Sequence, residues 1–106
     1  MILMKTIEVQ PRVTTVEWTD DKLAMMLTDG RVVMAPLAWY PRLLHATPAE
    51  RTDWRVFEDT DDRDVIFWVQ LDELIPVVAL LAGVPSREST RSLERWLAQR
   101  RTHSHS

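Results

Sequence analysis

The side chains best suited to chemistry crowd into one stretch, PLAWYPRLLHATPAERTDW at residues 36–54, which holds two Trp, one Tyr, two Arg and His45. An imidazole beside an acid and a hydroxyl could act as a general base. A lone His on a short helix, however, reads first as a structural hydrogen-bonder. The chain contains no Cys, so a thiol nucleophile, a disulfide framework and a Cys-based zinc site are all excluded. No catalytic residue is therefore assigned. Arg beside aromatic rings suits recognition better, since both are enriched at binding hot spots. The candidate binding surface is Trp39, Tyr40, Arg42, His45, Arg51 and Trp54, joined by Arg95 and Trp96 from a basic segment near the C-terminus. The competing reading is architectural. Large rings supply burial area, and Arg51 could pair with Asp53 or with the acidic turn that follows.

Other patterns give less. EDTDDRD (Glu58 to Asp64) carries five acids and one Arg. In a hydrophilic turn, solvation keeps such carboxylates ordinary, and the segment lacks the central Gly and terminal Glu of a calcium loop. His103 and His105 offer two imidazoles but no closed coordination sphere. Neither GxxxxGK[ST] nor GxGxxG is present. No metal and no cofactor are expected.

The elements that must position these residues follow from spacing and punctuation. Asp29-Gly30 lies between strand-like runs and predicts a two-residue hairpin turn. That pairing sets Leu27 opposite Val32, Met25 opposite Met34 and Leu23 opposite Pro36, all on one face. Arg12 to Trp18 reads as a preceding strand, and Lys5 to Val9 either begins it or forms a short strand of its own. Pro41 opens one short helix. Thr47, Pro48 and Glu50 open another with a capping pattern, carried to about Trp54. Leu43, Leu44, Trp39 and Trp54 are expected to face the sheet. Asp64 to Val69 reads as a strand. Asp72 can cap a helix that becomes regular near Leu74, and Gly83 ends it in a left-handed cap. Leu93, Trp96 and Leu97 form an apolar stripe on a last helix.

The resulting fold class is α+β: a three-stranded antiparallel meander at about 12–37, two short helices at about 41–54, a further strand at about 64–69, then helices at about 73–82 and 90–101. Residues 1–89 form a single domain, 90–101 a helix packed on it or on a partner, and 102–106 a flexible tail. A chain of 106 residues buries about 65% of its unfolded surface, enough for one core. Its 45% hydrophobic and 27% charged residues lie well away from disorder. The longest apolar run is far short of a membrane span, and MILMK does not make a signal peptide, so a cytoplasmic protein is expected. The formal net charge of −3 opposes unspecific nucleic-acid binding by the whole surface. Arg87 to Arg101 nevertheless gathers five Arg against two Glu.

Several pieces together resemble a bacterial family, domain of unknown function 2442. They are the DGR hairpin at 29–31, PL-x-WYPRL, AT-x-x-ER-x-x-W, I-x-W, LDE, and LL-x-G-x-PS-x-ES, falling between residues 29 and 89. The resemblance implies a small α+β domain, fused in some relatives to a DNA-binding helix-turn-helix and associated in others with two-gene cassettes of toxin–antitoxin type. It implies no catalytic residues. Between Trp54 and Trp68 the chain departs from the pattern, because relatives there look shorter, glycine-bearing and less charged. The residues after Ser89 are too few for a two-helix DNA reader. The leading expectation is a non-catalytic interaction module binding a protein partner or itself, with the antitoxin-like or regulatory half of a two-gene pair as its expected setting. A nucleic-acid accessory using the Arg-rich helix is the alternative, and a small enzyme built on His45 the third reading.

Overall fold

The computed structural model describes residues 12–61 and 63–103. Lys5 to Val9 and His105, which figure above, lie outside the described residues.

The Asp29-Gly30 turn forms where expected but with a longer loop. Strands β1 (Val13–Trp18), β2 (Lys22–Leu27) and β3 (Val32–Pro36) make an antiparallel meander in the order β1-β2-β3. The β2–β3 loop closes with Leu27 N–H donating to Arg31 O at 2.9 Å and Gly30 N–H donating to Leu27 O at 3.0 Å. Gly30 has φ +91° while Asp29 stays at negative φ, so this is a three-residue loop with Gly in the left-handed position. Asp29 instead uses its carboxylate to accept from the Arg31 backbone N–H at 3.0 Å and from Arg31 Nε at 2.8 Å. The extra residue moves the register by one. Met25 faces Val33, Ala24 faces Met34 and Lys22 faces Pro36, which overturns the pairing read from the sequence. A one-residue slip exchanges faces along a strand: Ala35 is buried, while Val32 and Met34 are 54% and 52% exposed.

Two short helices follow as expected. α1 (Pro41–Leu44) and α2 (Pro48–Thr52) each begin at a proline. Thr47 Oγ1 accepts from Glu50 N–H at 3.1 Å, and Glu50 Oε1 accepts from Thr47 N–H at 2.9 Å. This reciprocal cap satisfies two donors that a helix start would otherwise orphan. Leu43 is buried at the core, but Leu44 is exposed rather than facing a sheet.

The second half corrects the sequence reading most. α2 stops at Thr52, and Trp54 begins a strand rather than ending a helix. Strands β4 (Trp54–Glu58), β5 (Asp64–Trp68) and β6 (Glu73–Pro76) form a second antiparallel sheet. The acidic segment makes the β4–β5 turn, where Asp59 Oδ1 accepts the N–H of Asp61 at 2.8 Å and of Arg63 at 3.0 Å. Its last acid is not solvated. Asp64 is buried and accepts from Arg12 Nη1 at 2.8 Å and from Val13 N–H at 2.9 Å, tying β5 to the start of β1. Asp72 does not cap a helix. It takes a left-handed φ of 52° after a 3-10 turn at Val69–Leu71 and leads into β6. Proline has no N–H to give a helix interior. Pro76 accordingly ends β6 in extended geometry, and α3 (Val77–Ala82) begins only after it. Gly83 ends α3 with φ +71° as expected.

α4 (Thr90–His103) completes the chain. Its stripe meets the common core: Trp96 is buried beside Tyr40, Leu43, Ile66 and Trp68, with Leu93 and Leu97 packed against the cluster. Among the described residues no helix is long and apolar enough to cross a membrane.

Candidate functional site

An open groove of about 480 Å³ lies where α1, the turn after β5 and α4 meet, lined by Arg42, Gln70, Asp72, Ser92, Arg95, Trp96 and Gln99. Its floor is built from charge pairs that sequence neighbours could not supply. Pro41 starts α1 and Leu43 anchors it in the core. Between them Arg42 sends its guanidinium towards the residues leading into α4. Arg42 Nη2 donates to Glu88 Oε2 at 2.6 Å, and Nε donates to both Glu88 oxygens at 2.9 and 3.0 Å. Nη1 donates to Leu71 O at 3.0 Å. Ser92 Oγ donates to the same carboxylate at 2.8 Å. The hydrogen bonds from Arg42 hold Glu88 below the usual carboxylate range. The same hydrogen bonds raise Arg42 further, keeping both groups charged.

One turn into the helix, the Trp96 ring meets two guanidiniums, with Arg42 Cζ 5.2 Å and Arg100 Cζ 4.5 Å from its centroid. Arg100 in turn makes a two-pronged bond to Glu50, both contacts at 2.8 Å. Glu50 thus caps α2 and clasps α4 with one carboxylate. The Arg100 hydrogen bonds, helped by Thr47 N–H, lower its pKa to about 2.

Glu73 behaves oppositely. It faces Trp68 across the β5–β6 ladder, in line with Ile66 and Ile75 on the core side of the second sheet. Its Oε2 is buried with no hydrogen-bond partner among the described residues. Burial raises its pKa to about 7; the Arg42 charge opposes this, while Glu88 and Asp72 add to it. The Tyr40 phenol is likewise pushed up by burial and by Glu73, and its hydroxyl donates to Val84 O at 3.3 Å. A carboxyl titrating near neutrality can serve acid–base chemistry. Glu73 does not line the groove, however, and no imidazole joins it there.

The expected surface divides. Arg42, Arg95 and Trp96 converge on the groove. Tyr40 is buried, while Trp39 and Trp54 are half-buried against the core. Arg51 pairs with no acid among the described residues; its Nε and Nη2 donate to Leu43 O at 2.9 Å and Leu44 O at 3.1 Å, satisfying the open carbonyl end of α1. His45 is exposed at the C-terminal cap of α1, away from the groove lining. Among the described residues no group of three His, Cys, Asp or Glu side chains is placed to hold a metal. Glu73, Glu88 and Arg100 were not singled out from the sequence, and Glu50 was read only as a helix cap. Only the Glu50 cap left a local signal, because the others depend on strands and loops brought together by folding.

The fold has a relative of known structure. A crystal structure of a protein of unknown function from Rhodospirillum rubrum ATCC 11170 aligns with a TM-score of 0.57 and 17% identity, covering 76% of this chain and 95% of that one. This is a likeness of fold. No curated protein matches the sequence. One family's profile spans residues 5–86, ending before α4. Ser92, Arg95, Trp96 and Gln99 therefore lie beyond the matched span, and the groove joins family residues to a helix outside it. With most of its length inside that match, the chain belongs to the family described as Protein of unknown function (DUF2442).

Proposed function

We propose that this protein is a non-catalytic interaction module that binds a protein partner through an apolar sheet face. The observation that supports it is the outer side of the second sheet. Register places Arg55, Phe67 and Leu74 in one cross-strand row and Phe57, Val65 and Pro76 in the next. Phe57 and Leu74 are 45% and 50% exposed, and the Phe57 and Phe67 rings meet edge-on with centroids 6.4 Å apart. Large apolar side chains gathered on one exposed face are a usual mark of a partner site. In this reading the protein is the regulatory, antitoxin-like half of a two-gene pair in a bacterial cytoplasm, an idea supported by the family resemblance.

The other readings have weaker support. His45 is exposed and makes no side-chain hydrogen bond to an acid or hydroxyl among the described residues, so the triad built on it has no support from the geometry. Nucleic-acid binding through α4 called for all five Arg on one face, yet Arg100 turns inward to Glu50.

Co-expression of the protein with the products of adjacent genes, followed by affinity purification, tests the proposal. One identified partner should co-purify stoichiometrically and be lost from the Phe57→Ser, Leu74→Ser double variant while that variant remains folded by circular dichroism. A wild-type protein that stays monomeric and retains none of these products overturns the proposal.

A further inference from the structure

We propose that the groove beside α4 is a second binding site, for an extended acidic segment of a protein whose carboxylates are taken by Arg95 and Arg91. It does not depend on the apolar sheet face. The four arginines in and around the groove differ in how they are neutralised. Arg42 is paired with Glu88 and Arg100 with Glu50. Arg95 lines the groove and is exposed, and exposed Arg91 sits one helical turn before it, outside the groove lining; neither has an acid within ion-pair distance among the described residues. A planar guanidinium left without an acid at the mouth of a groove is fitted to bidentate carboxylate binding.

Spacing adds to this. Arg91 and Arg95 are one helical turn apart on the same side of α4, roughly 6 Å along its axis. Alternate residues of an extended peptide are separated by roughly 6.6 Å, so acids at every second position match the two guanidiniums. The same side of α4 continues to Gln99, which also lines the groove, as do Gln70 and Asp72. Asp72 is 89% exposed at its side chain. Its carboxylate and the Gln carbonyl oxygens accept hydrogen bonds, and a peptide backbone brings N–H donors alongside its acids.

Nucleic acid fits less well. A DNA phosphodiester backbone offers acceptors only, so unlike a peptide it brings no donor for the exposed Asp72 carboxylate. The Trp96 ring is already engaged by Arg42 and Arg100, which leaves it poorly placed as a stacking platform for bases. The whole chain is formally at −3, so attraction for an acidic segment would have to be local to this groove.

Fluorescence anisotropy with the full chain and a labelled peptide of alternating Ser and Glu tests the site. The expected result is saturable binding that weakens about tenfold in the Arg91→Ala, Arg95→Ala double variant and falls as salt rises. Arg95→Lys should also weaken it, through loss of the fork. The Phe57→Ser, Leu74→Ser variant should bind the peptide like wild type, which separates this site from the sheet face. Absence of saturable binding at low salt, or equal binding by the double Arg variant, overturns the proposal. Tighter binding of a labelled DNA oligonucleotide than of the peptide also overturns it, in favour of a nucleic-acid site.

Discussion

Glu50, in the first turn of α2, and Glu73, at the start of β6, are glutamates whose titration is driven in opposite directions. Glu50 meets the two-pronged Arg100 and a backbone N–H, and is held at about 2. Glu73 also has a guanidinium nearby, but the Arg42 fork is occupied by Glu88 and by backbone carbonyls. With one oxygen buried and unpaired, Glu73 is raised to about 7. Proximity to a cation does not settle the state of a buried carboxyl. What decides it is whether hydrogen bonds replace the lost water.

Trp96 joins the two regions, since both guanidiniums rest against its ring. Trp96→Ala should give the largest effect, a loss of about 3–4 kcal/mol in denaturant unfolding. It should also move both glutamates towards ordinary carboxylate behaviour in NMR titration. A loss below about 1 kcal/mol would mean that α4 contributes little to the fold.

Glu73→Gln comes next and should stabilise. Between the unfolded value of 4.5 and the folded value of about 7, the folded state binds more protons than the unfolded one. Stability therefore falls as pH rises through that window. The variant should be more stable than wild type by about 2 kcal/mol at pH 8 and equal to it near pH 4. Melting curves at the two pH values check this, and an unchanged difference would contradict the assigned burial.

Glu50→Gln should act in the other direction and more weakly, costing about 1–2 kcal/mol at neutral pH through the lost clasp and weakened cap. Its folded pKa is depressed, so wild type has this stability above about 4.5 and loses it as pH falls towards about 2. The gap between variant and wild type should close over that range. Arg100→Lys keeps the charge but not the fork, and should cost less than about 1 kcal/mol in the same unfolding assay.

Local chemistry made much of this fold legible. The Thr47/Glu50 box, the prolines opening α1 and α2, Gly83 at the end of α3 and the Leu93/Trp96/Leu97 stripe all act within a few residues, and all appear as read. β4 and β6 were not legible. WRVFE follows a helix without a turn signal, and ELIP runs through a proline towards apolar helix formers; each becomes a strand because β5 offers a partner on either side. The candidate surface was legible only in part, since Arg42 is distant in sequence from Arg95 and Trp96 and meets them only through the packing of α4.

The sequence by itself determined where α1 and α2 start, where α3 stops, where the first hairpin turns, and that Trp96 would sit on an apolar stripe, because caps, prolines and glycines act on their own backbone. Tertiary structure alone decided which face of β3 is buried, why Asp64 and Glu73 leave water, and which acid each arginine of the groove obtains. Those outcomes depend on strand register and on contacts across long sequence separations. A single added loop residue or a neighbouring guanidinium already in use is enough to reverse them.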